Sequence, residues 1–197
     1  MWNNDAQNPY TSSRGSTAMA TPQGVSSIKV ASKTGLIITF ALTQGLLVIA
    51  GICAFMGLKD LPAGAQAFRI DMSSILYLAI GFGVFFVTAV LSIVLPVVMK
   101  AKADHDYQSA NEPLPEPLND DTELPPAAQA ALGAAATRRL ISQALLEGGA
   151  NVSAVFMVVE SNLIFAIPVI FAFIGIGLQA PFPFRVRAVL ENVAMTR

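Results

Sequence analysis

Charge is scarce in this sequence. Only 13% of its 197 residues are charged, whereas soluble domains carry about 25%. Hydrophobic residues make up 54% of the chain, which is typical of a membrane protein. The 12 basic and 13 acidic residues nearly cancel, so the overall charge gives no reason to expect nucleic acid as a partner.

Histidine and cysteine are limited to one residue each, His105 and Cys53. A lone cysteine cannot form an internal disulfide, and a lone histidine provides neither a metal-binding set nor a catalytic constellation. The sequence also lacks a glycine-rich phosphate loop and a recognisable catalytic or metal-binding motif of Asp, Glu and His. We therefore expect no catalytic residues, no cofactor and no bound metal, and no enzyme activity.

The N-terminal region lacks apolar periodicity. Residues 1–30 are rich in Ser, Thr, Asn, Gln, Gly and Pro, and such a segment cannot bury enough surface to offset the entropy of ordering it. We predict a disordered N-terminal tail. The first 15 residues also lack the basic and apolar regions of a cleavable signal, so the first span is expected to act as an uncleaved insertion signal.

Apolar runs long enough to cross a bilayer follow the tail. Residues 35–58 and 73–99 predict a first transmembrane hairpin within 31–100. The run from Leu140 to Leu178 is too long for one span, and its polar cluster at 160–162 predicts a tight turn. A second hairpin, 137–180, would then hold spans 140–159 and 163–178. The predicted fold is an all-α membrane protein with four transmembrane helices, and a re-entrant last segment, leaving three full spans, is the alternative.

Two regions outside these runs are distinctive. Residues 101–136 combine acidic residues with proline, which predicts an extended and solvated cytoplasmic linker, with helical structure only after Pro126. Residues 181–197 form a C-terminal tail that places Phe182 and Phe184 beside basic residues. This tail fits either an interfacial segment or a flexible one.

The basic residues predict the orientation of the chain. With a cytoplasmic N-terminus, only Lys59 and Arg69 lie outside. Ten basic residues lie inside: Arg14, Lys29, Lys33, Lys100, Lys102, Arg138, Arg139, Arg185, Arg187 and Arg197. We therefore predict that both termini are cytoplasmic and that the protein resides in the cell (inner) membrane.

Spans one and three resemble each other. A shift of 103 residues aligns 34–45 with 137–148, matching Thr39 with Ser142 and Gln44 with Glu147. Two explanations stay open. One is the duplication of a two-helix hairpin, with the halves related by an axis along the membrane normal. The other is chance similarity between apolar helices.

Span three carries a carboxylate where hydrocarbon is expected. Gln143, Glu147 and Asn151 are spaced by four and therefore share a helical face. Glu147 lies seven residues after Leu140, about 10 Å into the bilayer, where a charge costs roughly 2.5–3.5 kcal/mol. We expect this face to point away from lipid, with Glu147 buried against another helix and protonated or hydrogen-bonded.

Small residues accompany this polar face. Ala41 with Gly45, and Ala144 with Gly148, form small-xxx-small pairs that let helices pack closely in lipid. Three roles for Glu147 stay open: a hydrogen bond with Gln44 across the bundle, the handling of an ion or proton, and contact with a ligand or partner.

Residues 139–150, RLISQALLEGGA, resemble the carboxylate-bearing helix of the rotary ATPase proteolipids, the c subunits. The resemblance covers about 20 residues around the A-L-x-E run. It implies that Glu147 carries an ion, that Gln44 is a degenerate copy of it, and that the chain assembles into rings. The chain departs from this family in lacking a glycine-repeat helix in span two and in having a longer polar linker.

Two functions are consistent with these patterns. The first is a structural or interaction protein of the membrane, with tightly packed helices. The second is proteolipid-like or transporter-like handling of protons or cations through Glu147. The expected partners are the lipid bilayer, further copies of the chain or other membrane helices, and a soluble protein at the acidic linker.

Overall fold

The computed structural model describes residues 26–59, 61, 66–71, 74–110 and 112–195. These residues contain no strand, so the all-α prediction is confirmed. The predicted disordered tail lies outside the described residues up to position 25. The helices are α1 Ile28–Lys59, α2 Ile75–Ala110, α3 Pro126–Val159, α4 Ala166–Leu178 and α5 Pro183–Met195, with a 3₁₀ turn at Leu163–Phe165 before α4.

Three helices, α1, α2 and α3, are long and apolar enough to cross a bilayer. Phe40, Phe55 and Phe86 each expose 69% of their surface, as expected for side chains solvated by lipid. The 13 residues of α4 reach only about 20 Å, short of a hydrocarbon core of about 30 Å. The segment Leu163–Leu178, which comprises the 3₁₀ turn and α4, is bent by 67° against α5. The described residues therefore hold four candidate spans if this bent pair is taken as one span, and three otherwise.

Helix α3 is the centre of the fold, because it packs against α1, α2, α4 and α5. Helices α3 and α4 form a packed hairpin. Among the described residues, α1 and α2 make no comparable contact with each other and instead pack on different faces of α3. The duplicated hairpin therefore stays a prediction, and helix packing gives it no support.

The apolar interior at the level of the spans, which we call the span core, centres on Phe165. The Phe165 ring lies 5.6 Å from that of Phe156 and 6.3 Å from that of Phe82. Two glycines bring helices close: a Cβ on Gly57 would collide with the carbonyl oxygen of Met157, and one on Gly149 with the hydroxyl of Thr88. Other buried members are Leu46, Leu146, Ala150, Ala154, Val169, Ala172 and Ile176.

The turn between α3 and α4 falls at residues 160–162, where the polar cluster predicts it. Asn162 caps the following turn by accepting a hydrogen bond from the Ile164 amide at 3.1 Å. Its side-chain amide donates to the Arg69 carbonyl at 2.7 Å, while Ser74 donates to the Glu160 carboxylate at 2.8 Å. These hydrogen bonds attach the turn to Arg69 and Ser74, which lie in the connection between α1 and α2.

The predicted linker at 101–136 is not extended throughout, because α2 continues to Ala110 and α3 begins at Pro126. Two contacts support the extension of α2. Lys100 pairs with Asp104 at 3.4 Å one helical turn away, and Tyr107 is 3% exposed. Burial of Tyr107 gives this polar segment an apolar contact that its composition does not suggest.

A second apolar interior, which we call the end core, lies beside the extensions of α2 and α3. Helix α5 presents Val186, Leu190 and Val193, spaced by four and three, to this core. Residues 183–195 are therefore a packed helix rather than a flexible tail. The other buried members are Ile28, Tyr107, Leu124, Ala128, Ala131 and Leu132.

Acidic residues tie the connection before α3 to both ends of the chain. Asp121 pairs with Lys29 at 2.9 Å, and Asp120 pairs with Arg187 at 2.6 Å. The Leu124 amide donates to the carbonyl of Ser26 at 3.1 Å. Asp120 and Asp121 belong to the acidic linker that we predict to recruit a soluble partner, but here they form ion pairs within the chain.

Candidate functional site

Glu147 lies on α3 where this helix passes Gly45 of α1. Its Oε1 is 3.8 Å from the position that a Cβ would occupy on Gly45. The side chain is half-buried rather than enclosed, and the described residues offer it no hydrogen bond or ion pair. Glu147 is therefore an unpaired carboxyl group at the edge of the contact between α1 and α3.

Gln143, one turn earlier, is buried completely and links three helices. Its side-chain amide donates to the Thr39 hydroxyl on α1 at 3.0 Å, and it reaches the Ile176 carbonyl on α4 at 3.5 Å. Interhelical hydrogen bonds of this kind stabilise helix contacts in lipid. The polar link between α1 and α3 is thus made by Gln143 and Thr39.

Gln44, the predicted neighbour of Glu147, is exposed. No hydrogen bond joins these two side chains in the described part of the chain. Helix geometry explains the difference: five residues separate Thr39 from Gln44, which rotates them by about 140° on a helix of 3.6 residues per turn. Because Thr39 points inward, Gln44 points outward.

Asn151 is half-buried, and its Oδ1 is buried without a hydrogen-bond partner. Each four-residue step advances the side chain by about 40° around a helix. The predicted polar face therefore turns, from the interior at Gln143 to the edge at Glu147 and Asn151. The expectation that the whole face avoids lipid holds within this chain only for Gln143.

Three of the four residues in the predicted small-residue pairs lie on the outside of the chain, and the fourth, Gly45, is partly buried beside Glu147. Ala41, Ala144 and Gly148 are exposed, and a Cβ on Gly148 would meet nothing within 4 Å. Their role in packing against other helices stays a prediction, since contacts within the chain use Gly57 and Gly149 instead. We call the surface formed by Ala41, Gly45, Ala144, Glu147, Gly148 and Asn151 the Glu147 face.

Sequence reasoning missed two serine contacts that bind α2 to α3. The Ser142 hydroxyl donates to the Ser92 carbonyl at 2.7 Å, and the Ser153 hydroxyl donates to the Gly81 carbonyl at 3.2 Å. The available signal was the spacing of these serines on α3, since eleven residues complete about three helical turns. Two hydroxyls on one apolar helix face mark a contact face.

The Glu147 face offers hydrogen-bonding groups. A neutral carboxyl group and an amide each provide donors and acceptors. The described residues contain no group of three or more His, Cys, Asp or Glu able to hold a metal ion. Comparisons with protein-family models, curated proteins and solved structures give no match to this chain.

Proposed function

We propose that this multi-pass membrane protein is an interaction protein that associates with a second copy of itself through the Glu147 face. One observation carries the proposal: a polar side chain without a hydrogen-bond partner lies beside small exposed residues. Glu147 has no partner in the described chain, and Ala41, Ala144 and Gly148 near it are exposed. Polar groups left unpaired in hydrocarbon cost free energy, and a second helix would satisfy them.

A second copy fits this face because the face is self-complementary. In a twofold dimer both subunits use the same surface, so this surface must carry both hydrogen-bond donors and acceptors. A neutral carboxyl group both donates and accepts a hydrogen bond, so Glu147 of one copy can pair with Glu147 of the other. The absence of a side chain at Gly148, with nothing within 4 Å of its missing Cβ, leaves room for close approach of a helix.

Disulfide cross-linking in lipid vesicles tests this proposal directly. In a Cys53→Ala background, an oxidised Ala144→Cys variant should form a covalent dimer. An Ile93→Cys variant is the control, because Ile93 is 68% exposed but lies on α2. Equal cross-linking at both positions, or none at Ala144→Cys, would contradict the proposed interface.

A steric variant tests the same interface by affinity. Gly148→Leu should weaken self-association by about tenfold or more, since a large side chain separates the backbones. Gly83→Leu is the matched control, because Gly83 is an exposed glycine on α2 whose Cβ would also meet nothing within 4 Å. Förster transfer between labelled copies in vesicles measures both, and equal effects of the two variants would exclude a specific role for Gly148.

We propose, as the second candidate, proton or cation handling through Glu147, as the resemblance to the rotary ATPase proteolipids implies. The observation that favours it is the unpaired, half-buried carboxyl group at mid-depth of an apolar helix. Carboxylates at such depth in membranes often carry ions or protons. In this case Glu147 exchanges a cation or proton instead of holding a helix contact.

Carbodiimide labelling separates the two candidates. Ion handling predicts that Glu147 is labelled, that Na⁺ protects it or rising pH slows the reaction, and that Glu147→Gln abolishes the exchange. The association model predicts an unreactive Glu147 and a Glu147→Gln variant that still dimerises, because glutamine keeps a donor and an acceptor. Labelling that Na⁺ and pH leave unchanged would contradict ion handling.

A further inference from the structure

A second polar site lies where the apolar runs end. A cavity of about 530 Å³ opens between α2, α3, α5 and the segment that follows α4. Its walls include Ser92 and Pro96 of α2, Ser142 of α3 and Leu178 of α4. Pro96, Ser142 and Leu178 lie within three residues of the ends of the predicted spans 73–99, 140–159 and 163–178. The cavity thus lies at the level where lipid headgroups meet the protein.

Four basic residues from three helices line this cavity: Lys100, Arg138, Arg139 and Arg185. No carboxylate is among its lining residues. The charges of Arg185 and Arg138 act on the half-buried Arg139, so like charges repel one another here. Concentrating positive charge in this way is costly unless an anion compensates it.

Arg138 is the strongest indication of a ligand. It exposes only 9% of its surface, yet its Nη1 is buried without a hydrogen-bond partner. A buried guanidinium group normally finds acceptors for its donors, because desolvation otherwise carries a penalty. An anion in the cavity would accept the unused hydrogen bond.

The other basic residues are partly engaged. Lys100 pairs with Asp104 at 3.4 Å, and Arg185 donates to the Leu178 carbonyl while lying 5.7 Å from the Phe184 ring centroid. These contacts hold the side chains in place without neutralising Arg138 or Arg139. The cavity is therefore a fixed basic site with two uncompensated guanidinium groups.

We propose that this cavity binds a phosphate group, and that the phosphate belongs to the headgroup of an anionic phospholipid. Guanidinium groups match the oxygens of phosphate geometrically and can bind two of them at once. Basic pockets between transmembrane helices are suited to anionic headgroups. The apolar residues Val97 and Leu178 on the cavity wall would lie beside the upper part of the acyl chains.

Lipid retention measured by native mass spectrometry tests this proposal on the full-length protein. Released from mixed vesicles, the protein should retain phosphatidylglycerol over phosphatidylcholine. Arg139→Gln and Arg185→Gln should each reduce this retention about fivefold, the change that corresponds to about 1 kcal/mol. Arg138→Lys keeps the charge but removes the fork of donors, and should also weaken retention.

Lys102→Gln is the matched control, because Lys102 is exposed on α2 only two residues from Lys100 but does not line the cavity. It should retain phosphatidylglycerol like the wild type. A second arm adds inorganic phosphate to protein in phosphatidylcholine vesicles and follows thermal unfolding. Stabilisation by phosphate without preference for phosphatidylglycerol would support the phosphate site but overturn the lipid as its source. Equal retention of both lipids with no effect of phosphate, or equal losses in Lys102→Gln and Arg139→Gln, would overturn the site itself.

Discussion

The span core and the end core are stabilised by different contacts. In the span core, glycines such as Gly57 and Gly149 bring helices together, and the Ser142 and Ser153 hydroxyls reach backbone carbonyls of α2. In the end core, leucine, valine and tyrosine side chains are buried together, and exposed ion pairs such as that of Lys29 with Asp121 surround them.

The difference follows from the solvent on each side. Lipid tails are as apolar as leucine, so burying leucine against another helix in a bilayer yields little, and close approach with hydrogen bonds must supply the stability. In water, burial of apolar surface contributes about 25 cal/mol per Å². Both cores bury large apolar side chains, and the span core adds close glycine contacts and interhelical hydrogen bonds to them.

The largest expected effect tests the role of close approach. Gly149→Leu should lower the free energy of unfolding by about 3 kcal/mol or more, since the new side chain overlaps Thr88 and its Cβ would lie 3.2 Å from the Phe85 Cα. Unfolding in mixed dodecyl sulfate micelles, followed by circular dichroism, measures this change.

The neighbouring glycine provides the control for this prediction. Gly148→Leu adds the same side chain one position away, where a Cβ would meet nothing within 4 Å. Under monomeric conditions it should change the free energy of unfolding by less than about 0.5 kcal/mol. Comparable destabilisation by both variants would mean that the close contact between Gly149 and α2 is not what makes the substitution costly, because helix propensity alone favours leucine over glycine.

The next effect tests burial in the end core. Leu190→Ala should cost about 2–3 kcal/mol, because the side chain is 1% exposed and a cavity would remain. Hydrogen exchange should accelerate at the amides of α5 while those of α3 at 142–157 stay protected. Glu191→Ala, at an exposed neighbouring position, should leave exchange unchanged. If Leu190→Ala accelerates exchange in residues 142–157 of α3 as well as in α5, the two cores unfold as one unit.

Much of the fold was predictable because long apolar runs give a strong signal. The predicted runs 35–58 and 140–159 fall within α1 and α3, and the turn at 160–162 follows from its polar residues. The end core was not predictable in this way. Tyr107 and Leu124 are isolated apolar residues in a polar stretch, and only tertiary contact with Ile28 and Leu190 buries them.

For the candidate site, the sequence identified the polar residues but not their directions. Gln143, Glu147 and Asn151 lie on adjoining faces as their spacing requires, yet only Gln143 is enclosed. Which side of α3 is buried depends on where α1 and α2 pack, and one sequence does not determine this. The same limit explains why Thr39, and not Gln44, meets the polar face.

The smallest expected effect tests the serine contacts in the span core. Ser142→Ala and Ser153→Ala should each lower the free energy of unfolding by about 0.6 kcal/mol, the average for interhelical hydrogen bonds in membranes. The effect is small because the Ser92 and Gly81 carbonyls belong to α2 and can still accept its backbone hydrogen bonds. Ser109→Ala is the control, since its hydroxyl bonds only within its own helix, to the His105 carbonyl. A loss above about 2 kcal/mol at either buried serine would mean that hydrogen bonds, rather than close glycine contacts, dominate the α2–α3 interface.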